Sequence, residues 1–290
     1  MRLLPFLAAG ITLAFTSTVG AQQIESVEVR GPIHMLTGEG GNIGVLIGED
    51  GTFMIYDKFA PLTDAILAEI DSLGGSAPTF LINTHFHGDH TGGNENLGKA
   101  GSTIVAHEKV RQRLAQGSEI EAFDMTMAPQ SGAALPVITF SRDISFHLNG
   151  EDIDIEHVPD AHTDSDSIVY FRDTNVIHTG DTMFNGFFPF IDTAHGGTLK
   201  GMIAATDRVL ALADEDTRII PGHGPLASNQ DVQTYRDMLS TAQQRLGKLK
   251  SQGLSADEAV AEQPLADLEE QWGDGTFTAD RWIEIIYDGV

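Results

Sequence analysis

Cysteine is absent from all 290 residues. That excludes disulfides, thiolate nucleophiles and cysteine ligation, so any metal must be held by histidine and carboxylate alone. In an exported protein it also leaves a packed core as the source of stability. Basic side chains are scarce. Lys and Arg number 17 against 42 Asp and Glu, for a formal net charge of −25. Such a field repels nucleic-acid phosphates and anionic membrane surfaces, and it describes a well-solvated surface. Beyond the N-terminal stretch no apolar run is long enough to cross a bilayer. These absences exclude nucleic acid and membrane as expected partners and leave a small-molecule substrate. Oligomeric state leaves no mark on the sequence.

The stretch "MRLLPFLAAGITLAFTSTVGAQ" carries one basic residue, Arg2, then an apolar run from Leu3 to Phe15, then small residues ending at Ala21. Residues 1–21 are therefore expected to be a signal peptide cleaved after Ala21, and the protein to be exported, periplasmic or secreted. A membrane anchor is the weaker reading, because Thr and Ser interrupt the run before a bilayer is spanned. Residues 22–290, about 270 in all, contain no low-complexity or Pro/Ser-rich linker, and a single catalytic domain is expected.

Within it, "NIGVLIGEDGTFMIYD" (42–57) reads as strand, turn, strand. Residues 61–75 place Leu62, Ile66, Leu67, Ile70 and Leu73 at helical spacing, between Pro61 and Gly74-Gly75. "TFLINTH" (79–85) is a strand that ends on His85, and 102–117 is a strand then a helix. A polar, Met-rich loop is expected to about Pro136, with Met125 and Met127 in packing rather than redox roles. Residues 143–160 read as a hairpin about Asn149-Gly150, and 167–181 as strand–turn–strand ending at Asp181. Residues 198–214 read as a helix, 217–224 as a strand running into His223, and the chain from Asn229 as amphipathic helices. Strands precede a helix in each half, which fits an α/β arrangement of two sheets with helices outside.

Polar residues at the strand ends carry the chemistry. "NTHFHGDHTGG" (83–93) puts His85, His87, Asp89 and His90 within six positions. Alternate residues on a loop leaving a strand can converge on one ion, and a catalytic zinc needs only three protein ligands. Four candidates so close together suggest two ions served by one loop. Further candidates follow later strands: His162 in "VPDAHTDSDS", Asp181 in "HTGDTMF" and His223 in "IIPGHGPL".

This ordered set, from the His-x-His-x-Asp-His run to the Gly-Asp and the Pro-Gly-His-Gly, resembles the metallo-β-lactamase superfamily. The resemblance covers nearly the whole chain after residue 21. It implies an αββα sandwich of two mixed sheets with helices on the outer faces. It implies that His85, His87 and His162 bind a first zinc, that Asp89, His90 and His223 bind a second, and that Asp181 bridges the two. A zinc-bound hydroxide would attack a substrate carbonyl, with Asp89 orienting it as well as ligating. The resemblance thus implies a zinc-dependent hydrolase of a cyclic amide or ester, with β-lactamase activity as one option. Lactonase and thioesterase are the alternatives within the fold. A non-hydrolytic iron oxygenase or metal-binding protein is the rival class.

Two departures matter. One group of β-lactamases of this fold uses a cysteine ligand, which this chain lacks. A second group matches Asp89, His90 and His223 but does not usually carry a bridging Asp at the position of Asp181. "PDAHT" also differs from the commoner Pro-Gly-His-Thr form, and Asp160 reads as a supporting residue or a turn residue. "FNGFFPFID" (184–192) with His195 reads either as the wall of a substrate pocket, through Phe187, Phe188 and His195, or as core packing, and "GEGGN" (38–42) reads either as a hairpin tip over the site, which the resemblance implies, or as an ordinary Gly-rich turn. His34, His107, His147, His157 and His178 are read as ordinary polar residues.

Overall fold

The computed structural model describes residues 23–273 and 275–290, so the expected signal peptide lies outside the described residues. The first sheet contains Glu25–Arg30 (β1), Ile33–Thr37 (β2), Ile43–Gly48 (β3), Gly51–Ile55 (β4), Pro78–Asn83 (β5) and Thr103–His107 (β6). Ser118–Ile120 (β7) and Met125–Met127 (β8) form a separate hairpin, and Ile138–Phe140 (β9) completes the first sheet beside β6. β1 to β4 are antiparallel neighbours, whereas β4, β5, β6 and β9 run parallel.

The second sheet takes Asp143–Leu148 (β10), Glu151–His157 (β11), Ser167–Phe171 (β12), Val176–Phe184 (β13), Arg218–His223 (β14) and Ala227–Ser228 (β15), in that order. Only β13 and β14 are parallel there. Both sheets are therefore mixed. The helices are Thr63–Ser72 (α1), Gly88–Thr91 (α2), Asn94–Ala100 (α3), Glu108–Gln116 (α4), Leu199–Leu212 (α5), Asn229–Ser251 (α6), Ala256–Ala261 (α7), Glu269–Trp272 (α8) and Ala279–Ile286 (α9).

Period-two alternation builds the layers. Ile153, Ile155, Val169 and Phe171 of the second sheet join Leu46, Phe53, Ile55 and Leu81 of the first in one core between the sheets. Ile168 and Ile177 point the other way, into a second core with Leu199, Met202, Tyr235, Leu239 and Trp282 of the covering helices. Long helix α6 starts with a reciprocal cap. The Ser228 hydroxyl accepts from the Asp231 amide, and the Asp231 carboxylate accepts from the Ser228 amide at 2.8 Å. At the β10–β11 turn Asn149 and Gly150 both take positive φ (57° and 79°), as a two-residue type I′ hairpin demands.

Several boundary expectations need correction: β5 stops at Asn83, short of His85, and the strand expected to end at Asp181 runs on to Phe184 as β13. The helix expected over 61–75 is shorter: a single 3₁₀ turn, Ala60–Leu62, precedes α1, which ends at Ser72. The expected loop before Pro136 contains the β7–β8 hairpin, three residues per strand. Strands that short and that polar offer no periodicity to read, and only their backbone pairing identifies them.

Candidate metal centre

β5 stops at Asn83, and the next turn carries His85 and His87; Asp89 and His90 lie in α2. His162 follows β11, Asp181 lies within β13, and His223 ends β14. One sheet thus contributes four of the seven candidates and the other sheet three, and they meet at the edge between the sheets.

The seven converge. His85, His87 and His162 form one group of potential donors, Asp89, His90 and His223 another, and His85, His90 and Asp181 a third, with the donor atoms in each group within 4.8 Å of one another. Asp181 Oδ2 lies 3.2 Å from His90 Nε2, 3.4 Å from His223 Nε2, 3.6 Å from His162 Nε2 and 3.8 Å from His85 Nε2. One carboxylate oxygen therefore faces both sets. Asp89 Oδ2 is 3.2 Å from His90 Nε2 and 3.3 Å from His223 Nε2. His34, His107, His147, His157 and His178 fall in none of these groups among the described residues. His178 is satisfied by backbone, donating from Nε2 to the Asn42 carbonyl at 3.0 Å and accepting from the Gly180 amide.

Several buried polar atoms in this cluster make no hydrogen bond within the protein: His85 Nε2, both ring nitrogens of His90 and Asp181 Oδ1. Unpartnered buried polar atoms are costly, so their concentration at one point fits a site built to hold a cation. Second partners of the rings agree. His162 Nδ1–H donates to the Phe190 carbonyl at 2.7 Å, and His87 Nε2–H to the Asp192 carboxylate at 2.9 Å. His85 Nδ1 is 3.2 Å from the Tyr56 hydroxyl. Each contact leaves the opposite nitrogen with its lone pair turned inward, and the lone pairs of His162 Nε2 and His87 Nδ1 meet at 2.9 Å. This donor set of histidine and carboxylate suits zinc.

Charge divides the cluster. Burial pushes His85 well below the usual histidine range and His162 down to about 4, with neighbouring histidines adding to the effect. Burial works against a charged His90 and His223 as well, but Asp181 and Asp89 outweigh it and raise them to about 9 and about 10. In return, burial of Asp89 and Asp181 is overcome by those histidines, and both carboxyls are held well below their usual range. Without bound metal, His85 and His162 are thus neutral, while His90 and His223 are salt-bridged to Asp89 and Asp181.

Glycines permit the approach. Gly180, before Asp181, has φ of 55°, and a Cβ there would meet the Thr84 hydroxyl at 2.5 Å. A Cβ on Gly222, before His223, would meet Asp181 Oδ1 at 2.0 Å. These are the glycines of the Gly-Asp and Pro-Gly-His motifs.

Sequence reading missed a supporting ring. Asp192 accepts from His87 and, at 2.7 Å, from His195 Nδ1. Asp166 accepts from the Thr163 amide at 2.6 Å and anchors the turn that carries His162. Asp57 accepts from the Gly93 amide at 2.9 Å and ties down the end of the α2 loop. Buried Lys58 donates to the Gly41 and Gly38 carbonyls at 2.5 and 3.4 Å. The same loop is fastened to the site by Gly41 N–H to the Asp89 carbonyl and Asn42 N–H to the Gly222 carbonyl. Burial lowers Lys58 to about 8, opposed by the charge of Asp89. Asp160 is a turn residue at φ 54°, offering its carbonyl to Thr198. The only signal in the sequence was that Asp192 and His195 stand three apart in a stretch already singled out.

A cavity of about 250 Å³ opens beside the metal cluster, touching His87, Asp89, Asp181 and His223. Phe187 and Phe188 line it, together with Phe184, Phe190 and Phe277. His195 does not: its ring is turned to Asp192 and packs edge-on to Phe86. Met125, expected to serve packing, lies in the cavity wall.

Fold and site together define a two-sheet α/β scaffold with a histidine–carboxylate centre at the sheet edge. The metallo-beta-lactamase superfamily model matches residues 36–223, and the chain belongs to that superfamily. It is similar to a hydroxyacylglutathione hydrolase of Nitrosococcus oceani, with 30% identity over 52% of this chain and 50% of that protein. It is also similar to an acyl-coenzyme A thioesterase of Bos taurus, with 21% identity over 50% of this chain and 56% of that protein. The chain spans about half the length of these curated relatives. Among solved structures, a metallo-beta-lactamase from Pontibacter korlensis superposes with a TM-score of 0.61 at 18% identity, over 75% of this chain and 99% of that one, which shows a shared fold.

Proposed function

We propose that the protein is an exported hydrolase that holds two zinc ions and cleaves a carboxylic ester or cyclic amide. The observation that carries this reading is the convergence of seven histidine and aspartate side chains with unpartnered buried donor and acceptor atoms. His85, His87 and His162 would hold one ion, Asp89, His90 and His223 the other, with Asp181 between them. Zinc, when bound, supplies a water of lowered pKa and polarises a carbonyl oxygen. Asp89 is partly exposed at the cavity and keeps its charge, so it orients an attacking water by accepting a hydrogen bond. Asp192 and the Phe190 carbonyl fix the His87 and His162 rings. Phe184, Phe187, Phe188 and Phe190 set an apolar wall beside the reacting bond.

A thioester is the second reading, supported by the likeness to a hydroxyacylglutathione hydrolase and to an acyl-coenzyme A thioesterase. β-Lactam cleavage rests on likeness of fold alone. Export rests on the N-terminal Arg2 and the apolar run from Leu3 to Phe15.

Metal analysis of protein purified without added metal should return two zincs per chain; one iron per chain would sink the reading. Rates should then be measured side by side on a chromogenic cephalosporin, an acyl lactone, a thioester and an aryl phosphodiester. Metal-dependent cleavage of a carbonyl substrate is expected, and activity that survives metal stripping would rule the mechanism out.

A further inference from the structure

Apart from the metal cluster and Thr276, the described residues lining the cavity bear no polar side chain, and none is Lys or Arg. The walls come from three separate parts of the chain. Phe123 and Met125 project from the β7–β8 hairpin, Phe187 and Phe190 from the segment after β13, and Phe277 from the segment before α9. The rings interlock: Phe123 lies edge to face with Phe190 at 4.9 Å and tilted against Phe277 at 5.7 Å, centre to centre. Yet Phe123 and Met125 remain 42% and 40% exposed, so the apolar surface is open rather than filled by core packing.

The charges around it are negative. Asp89 borders the cavity, Glu121 and Asp124 flank Phe123, and the whole chain carries −25. Lys58, whose charge interacts with that of Asp89, is buried and donates to the Gly38 and Gly41 carbonyls. Away from the metal cluster, a substrate carboxylate or phosphate lying against this wall would meet no Lys or Arg side chain and would lose its hydration without a paired charge.

We propose that the substrate is an uncharged ester or lactone whose apolar acyl or aryl arm lies against Phe123, Met125, Phe190 and Phe277. The reaction rests on the hydrolase reading; the binding preference rests on the cavity alone. Glutathione carries carboxylates and coenzyme A carries phosphates, so thioesters of either suit this wall poorly. Each methylene that enters the cavity should raise kcat/KM about fourfold.

The test uses the zinc-loaded protein and three p-nitrophenyl esters: acetate, hexanoate, and the adipate monoester, which has a six-carbon chain ending in carboxylate. Hexanoate should exceed acetate in kcat/KM by more than tenfold, and adipate should fall at least tenfold below hexanoate. Phe123→Ala and Met125→Ala should each reduce the hexanoate-to-acetate ratio. Adipate turned over as fast as hexanoate would overturn the proposal.

A second readout needs no catalysis. The uncharged fluorophore N-phenyl-1-naphthylamine should bind the wild type and be displaced by hexanol but not by adipate, with affinity reduced at least threefold in Phe123→Ala. Probe binding with no ester cleavage would defeat the hydrolase reading and uphold the cavity preference. Ester cleavage with no chain-length preference and no probe binding would do the reverse.

Discussion

The carboxylate of Asp192 touches two rings, those of His87 and His195, and only the first belongs to the metal cluster. By accepting from His87 Nε2 it leaves Nδ1 as the donor that faces His162. Partners of this kind commonly contribute 10- to 100-fold in metal affinity. Asp192→Asn should therefore weaken metal binding by about that factor with little change in fold, measured by competition with a chromophoric chelator; unchanged affinity would remove Asp192 from the centre. His90 and His223 permit a pH prediction. In the metal-free protein they are raised to about 9 and about 10 by Asp181 and Asp89. A raised histidine stabilises the fold fully below its unfolded value of about 6.5, and that contribution is lost as pH rises through the folded value. The melting temperature of stripped protein should therefore fall between pH 7 and pH 10. Metal competes with those same protons, so its affinity should rise over the same interval. A stripped protein equally stable at both pH values would contradict this assignment.

At the scale of elements, the C-terminal helices have a role that amphipathic periodicity could not reveal. Trp282 of α9 is fully buried, stacks on Phe188 with ring centres 4.5 Å apart, and donates from its indole to the Pro189 carbonyl at 2.6 Å. The Phe188 amide in turn donates to the Trp272 carbonyl. Helices α8 and α9 thus clamp the aromatic segment whose next residue, Phe190, orients His162. Trp282→Ala should cost about 3–5 kcal/mol of stability. A milder Trp282→Phe keeps the packing but loses the indole donor. It should raise KM for the hexanoyl ester while leaving metal content intact; loss of metal instead would show that the clamp serves the centre and not the cavity.

The whole molecule places the centre on a seam. His85, His87, Asp89 and His90 belong to the first sheet's half, and His162, Asp181 and His223 to the second. A ligand that binds only the assembled seam stabilises the fold by mass action, about 2.7 kcal/mol when it is present at 100 times its dissociation constant. Chelation should lower the melting temperature by several degrees and added zinc should restore it, followed by calorimetry. An unchanged melting temperature would mean that no ion joins the two halves.

Much of this was legible in the chain itself. The order of motifs from His85 to His223 identified the family, and alternation of apolar residues marked most strands, because ligand chemistry and period-two burial are both written locally. What stayed hidden depends on contacts between distant segments. Lys58 under the Gly38–Gly41 loop, Asp192 behind His87, and Phe123 opposite Phe277 are separated widely in sequence, and no spacing rule links them. His195 shows the limit from the other side: it lies in the right segment, but its hydrogen bond to Asp192 turns it away from the cavity. The sequence by itself determined the superfamily and the candidate donors, since these follow from residue type and order. Only the tertiary structure decided which walls face those donors, because an apolar cavity without Lys or Arg is made by three segments meeting, and each alone is an ordinary run of phenylalanine and methionine.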